Sequence, residues 1–74
     1  VPPGSGTPPH RHASIEIFHV VEGKVTFGLF EPEPPQRIAA GPGAVVTVPS
    51  NLAHNYTNAG AAPARMVAVL QAQM

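Results

Sequence analysis

Proline and glycine punctuate this chain so densely that long regular elements are excluded, and this constrains its fold more than any other feature. The 74 residues include 10 Pro and 7 Gly, gathered at VPPGSGTPP (residues 1–9), EPEPPQ (31–36), Gly41-Pro42-Gly43, Pro49 and AGAAP (59–63). Proline has no N–H to give to a ladder and its ring clashes inside a helix, so each cluster ends whatever precedes it. Residues 1–9 therefore form a Pro/Gly-rich lead-in, polyproline-like or lying on a sheet edge, in which Pro8-Pro9 stiffen the approach to His10. The EPEPPQ stretch reads as a rigid surface loop whose Glu31 and Glu33 are solvated.

Between these breaks the chain is rich in β-branched and aromatic residues. IEIFHVV (15–21), VTFGLF (25–30), RIAA (37–40), AVVTVP (44–49), AHNYTN (53–58) and ARMVAVLQAQ (64–73) read as short strands. The turn at Glu22-Gly23-Lys24 predicts a β-hairpin between the first two. Side chains alternate along a strand, so Glu16, Phe18 and Val20 share one face and Ile15, Ile17, His19 and Val21 the other. Both faces are largely apolar, which predicts burial on both, one inside a small barrel or sandwich and one against a second sheet or chain. Phe18, Phe27, Phe30, Met66 and Leu70 are the expected core. The last segment tolerates a helix through its Ala content, but short strands at regular spacing favour an all-β, antiparallel barrel or sandwich.

A chain this short makes one domain, residues 1–74. Domains of this size bury only about 60 % of the surface their unfolded chains expose and usually need a supplement. There is no Cys to supply disulfides, leaving a metal ion or a partner subunit. Four Lys/Arg against four Asp/Glu give a formal net charge of zero, so no electrostatic footprint for nucleic acid or an anionic membrane exists. No apolar run approaches the ~20 residues of a spanning helix and no signal-peptide pattern opens the chain. The expectation is a soluble, cytoplasmic protein. A chain beginning at Val1 rather than Met also suggests that a longer N-terminal region precedes it.

The residues that carry chemistry lie early. His10, His12 and Glu16 are separated by even steps, so on a strand they face the same way and can converge. Two imidazoles and a carboxylate suit a first-row divalent metal better than calcium, which prefers all-oxygen sites. Tyr56 and Asn58 share a face with His54. The Tyr56 phenol is a candidate catalytic group, with ordinary packing as the competing reading, and Asn58 reads as structural, bonding backbone near the second turn. His19 faces away from Glu16, which makes it a surface or subunit-contact residue.

Two motifs then resemble those of the cupin superfamily of small β-barrels. Gly4, His10, His12, Glu16 and Gly23 match the spacing of the first cupin motif, and Gly43, Pro49, His54 and Asn58 that of the second, with Asn51 where the motif has Gly. Asn tolerates positive φ better than other non-glycine residues, so the turn can survive. The resemblance implies a conical antiparallel barrel or jelly roll whose strands before the first motif are either missing from this sequence or supplied by a neighbouring subunit. It also implies one divalent transition metal ion (Fe, Mn, Ni, Co, Cu or Zn) held by His10, His12, Glu16 and His54, and a homodimer formed through the outer sheet. The activity it suggests is that of a quercetin dioxygenase-like enzyme acting on a small uncharged or aromatic substrate. The alternatives are a metal-dependent isomerase or decarboxylase, or a non-catalytic ligand-binding or sensor module.

Overall fold

The computed structural model describes residues 1–71. They form six strands: β1 (Ile15–Glu22), β2 (Val25–Leu29), β3 (Gln36–Ala40), β4 (Val45–Val48), β5 (His54–Thr57) and β6 (Arg65–Gln71). The strands make two three-stranded antiparallel sheets, ordered β4-β1-β6 and β3-β2-β5. This all-β arrangement is consistent with a jelly roll. Ala72 and Gln73, which the expected last strand included, lie outside the described residues.

β1 and β2 do not form the expected hairpin. β1 pairs with β4 and β6, whereas β2 pairs with β3 and β5. The turn at Gly23 (φ 81°) carries the chain from one sheet to the other. Its backbone passes so close to Ala64 that a Cβ there would stand 2.9 Å from the Ala64 Cα. The reason is visible in the aromatic residues: Phe18 and Phe27 meet between the sheets, ring centroids 4.9 Å apart and planes tilted by 46°, rather than side by side within one. Burying a large apolar side chain contributes roughly 1.5–3 kcal/mol, so two phenylalanines shared by both sheets outweigh the local advantage of a two-stranded ribbon.

The alternation read from the sequence holds. Phe18, Val20, Val25, Phe27, Ala40, Val46, Val48 and Ala64 form the buried core, with Leu29, Tyr56 and Met66 packed against it. Registers stack the inward residues in rows: Val48, Glu16 and Leu70 in one sheet, and Gln36, Leu29 and His54 in the other. Leu70 departs from expectation. It shares the inward face with Glu16 but is 59 % exposed, so it is not core. The outward face of β1 also differs, because His19 and Val21 are exposed and nothing among the described residues covers them.

Residues 4–10 run beside β5 as an added edge. Thr7 N–H donates to the Tyr56 carbonyl at 3.0 Å and Asn58 N–H to the Ser5 carbonyl at 2.9 Å. Gly6 permits the approach, since a Cβ at that position would collide with the Tyr56 carbonyl oxygen. The lead-in thus takes the edge role its composition allowed.

Candidate metal centre

The candidate metal ligands come together where the lead-in crosses from one sheet to the other. His10 bridges His54 in antiparallel register, each N–H donating to the other's carbonyl at 3.0 and 2.9 Å. Directly opposed residues of an antiparallel pair point to the same face, so this bridge sets the two imidazoles side by side, ring centroids 4.5 Å apart. The chain then leaves β5, bends through residues 11–14 and enters β1, where Glu16 faces inward. His12 sits on the bend, and its carbonyl accepts the Asn51 N–H at 2.7 Å, tying the bend to the turn before β5. His10, His12 and Glu16 therefore converge, but not along one strand as their even spacing suggested. Two sheets and the crossing between them each contribute.

One ligand atom from each of His10, His12, Glu16 and His54 lies within 4.8 Å of all the others. Ligand atoms about 2.1 Å from an octahedral ion stand about 3 Å apart when adjacent and about 4.2 Å when opposite, so small side-chain shifts complete the fit.

The ring orientations point the same way. The Nδ1 of His10 donates to the Pro8 carbonyl (2.9 Å), that of His12 to the Ser14 carbonyl (3.0 Å) and that of His54 to the Leu52 carbonyl (2.7 Å). A carbonyl only accepts, so each Nδ1 carries a proton, and in the neutral form of that tautomer the lone pair lies on Nε2. Such partners hold an imidazole in one tautomer and one orientation for a metal. The Nε2 atoms of His12 and His54 approach the same Glu16 Oε1, at 3.1 and 3.3 Å. Lone pairs facing a carboxylate are satisfied by a cation between them, whether a proton or a metal ion. The donor set and its orientation fit a divalent metal.

Burial is graded across the group: the His54 side chain is 2 % exposed, Glu16 13 % and His12 29 %. The group is sealed on the His54 side and meets solvent on the His12 side.

Tyr56 packs against the Phe18–Phe27 pair, with centroids at 5.8 and 6.5 Å, one inward position along β5 from His54. Asn58 is buried and ties the β5–β6 turn, as its structural reading required: Nδ2 donates to the Val1 and Ala62 carbonyls and Oδ1 accepts the Gly60 N–H. His19 is exposed on the opposite face.

Sequence reasoning missed one feature of the rim. Glu31 is not simply solvated between its prolines, because its Oε1 accepts the Ala53 N–H at 3.0 Å and pairs with Arg11 at 3.0 Å. Arg11 lies between the two histidines and points away from them, so this tie fastens the ligand bend to the loop that delivers His54. No local pattern links residues 20 apart.

The cupin-domain family model matches residues 1–70. The chain belongs to the cupin family. This cupin is 38 % identical over 47 residues to an acireductone dioxygenase of Rhodopseudomonas palustris, a match covering 64 % of the chain and 28 % of that relative. It superposes on a predicted oxalate decarboxylase from Thermotoga maritima with a TM-score of 0.83 and 25 % identity, over 95 % of this chain and 58 % of the other. An oxalate oxidase in complex with glycolate gives a TM-score of 0.81 and 28 % identity, over 90 % and 36 % of the two chains. The cupin thus spans well under two thirds of the length of these relatives.

The second motif's departure at Asn51 is accommodated as expected. Asn51 has φ 60°, and Gly4, Gly23 and Gly43 of the two motifs all lie at positive φ as well.

Proposed function

We propose that this cupin binds one divalent transition metal ion through His10, His12, Glu16 and His54 and acts as a metal-dependent dioxygenase on a small organic substrate. The observation that carries the reading is the gathering of four ligand atoms within 4.8 Å, drawn from both sheets and graded from buried to open. Its similarity to an acireductone dioxygenase supports the reaction class.

When bound, the metal would supply a cationic centre with positions open to substrate oxygens and dioxygen. The chain's own residues do the rest. The Pro8, Ser14 and Leu52 carbonyls hold the three imidazoles with Nε2 inward. Phe18, Phe27, Val46 and Val48 form the apolar core beside the ligand group, which favours a substrate with an apolar or aromatic part. Tyr56, packed against that core, is the residue we assign to orienting substrate or moving a proton.

Decarboxylation is a second reading, favoured by the likeness to a predicted oxalate decarboxylase. The outer face of β4-β1-β6 carries Ile17, Val45, Val67 and Val69 around His19, and we assign it to a homodimer contact.

Metal analysis and an oxygen electrode test the proposal together. We expect about one equivalent of metal after reconstitution with iron, nickel or manganese, and oxygen uptake with enediols or flavonols. Less than about a tenth of an equivalent would defeat both enzymatic readings. Carbon dioxide release from oxalate without oxygen uptake would select decarboxylation.

A further inference from the structure

The row of residues at the level of the metal ligands is asymmetric. Glu16 is paired on one side with Val48 of β4 and on the other with Leu70 of β6, and all three face inward. Val48 is 0 % exposed and Leu70 is 59 % exposed. The β4 side of the carboxylate is sealed and the β6 side is open. The next inward residue of β6, Ala68, is exposed too. A molecule reaching Glu16 from this side has its non-coordinating part against Leu70, with Ala68 below it.

Charge narrows the class of that molecule. The chain has four cationic side chains. Arg11 is held by Glu31 on the rim, and Arg65 lies beside Glu22 at the far end of β1. Lys24 is in the β1–β2 crossing at that same far end, and Arg37 pairs with Gly28 on the outward face of its sheet. None faces the ligand row. A divalent ion with three neutral imidazoles and one carboxylate carries a net charge of +1. A monoanion cancels it, whereas a dianion leaves an uncompensated negative charge against apolar walls, which is costly.

Resting on the proposed metal site, we infer that Leu70 is the specificity-determining residue of this cupin, and that its ligand is a monoanionic oxygen chelator bearing an apolar substituent. The substituent lies on Leu70 and the two oxygens point toward Glu16 and the histidines. Enolates and α-hydroxy or α-keto monocarboxylates with a hydrocarbon or aromatic tail belong to this class, and oxalate does not.

The experiment uses the full chain loaded with Co(II), whose visible spectrum reports metal uptake and chelator binding separately from turnover. The probes are acetohydroxamate, benzohydroxamate and oxalate, each compared with its own affinity for Co(II) in water. We expect benzohydroxamate to bind roughly tenfold more tightly than acetohydroxamate, about 1.4 kcal/mol, and oxalate to bind most weakly. In Leu70→Asn that preference falls to within about twofold while Co(II) uptake and acetohydroxamate affinity stay unchanged. Ala39→Asn, at an exposed alanine on the outward face of the other sheet, keeps the preference. Co(II) taken up but an unaltered preference in Leu70→Asn overturns the assignment of Leu70. Oxalate binding above the hydroxamates overturns the charge class. Failure of the unaltered chain to take up Co(II) sinks the metal site itself, a result distinct from either.

Discussion

His54 and Asn58 stand four residues apart at the two ends of β5, each 1 % exposed, and they are the buried polar side chains of the described residues. They solve burial in opposite ways. Asn58 satisfies itself within the protein through the carbonyls of Val1 and Ala62 and the N–H of Gly60. His54 donates Nδ1–H to the Leu52 carbonyl and turns Nε2 toward a Glu16 oxygen that it shares with His12. A polar group whose partners all belong to the chain is a bolt; one whose second atom faces other ligands is a site. Burial alone does not separate the two, and the inventory of partners does.

The largest expected effect follows from removing the open end. Glu16→Ala or His54→Ala lowers metal affinity at least about 1,000-fold, about 4 kcal/mol, in competition with a chromophoric chelator. Each also abolishes the metal-dependent rise in Tm, since a ligand that binds only the folded chain stabilises it. Unchanged melting of the metal-loaded variants would show that this end is as self-sufficient as the other.

Asn58→Ala tests the closed end. It removes three hydrogen bonds, and the expected loss is about 2–3 kcal/mol in urea denaturation, equal with and without metal. Metal affinity stays within about threefold. A parallel loss of metal affinity would break the contrast and make β5 one cooperative unit.

The smallest effect sharpens the comparison from outside the strand. Asn51, at φ 60°, positions the turn whose N–H meets the His12 carbonyl. Asn51→Ala costs about 1 kcal/mol, while Asn51→Gly lies within a few tenths, both read by thermal melting. Equal costs for the two would mean that side-chain bonding rather than backbone conformation governs this turn.

Much of the site was legible before the fold. His10, His12 and Glu16 declared themselves by residue type and spacing, and His54 by the second motif. The route of their convergence was not legible. An even step means one face only if the chain stays in one strand, and residues 11–14 bend between sheets instead. Glu31 was read as solvated because its prolines are local, whereas its partners, Arg11 and the Ala53 N–H, lie far off in sequence.

By itself the sequence determined the strands, the inward face of β1, the turns that need positive φ and the candidate ligands, because these depend on local sterics and side-chain chemistry. Only the tertiary structure decided which strands are neighbours. Glu22-Gly23-Lys24 would serve a hairpin equally well, and the choice to cross between sheets comes from Phe18 and Phe27 sharing one core. The same holds for Leu70, whose type and alternation match those of a core residue. Its exposure beside Glu16 follows from its position on an edge strand paired on one side only, and no local pattern records that.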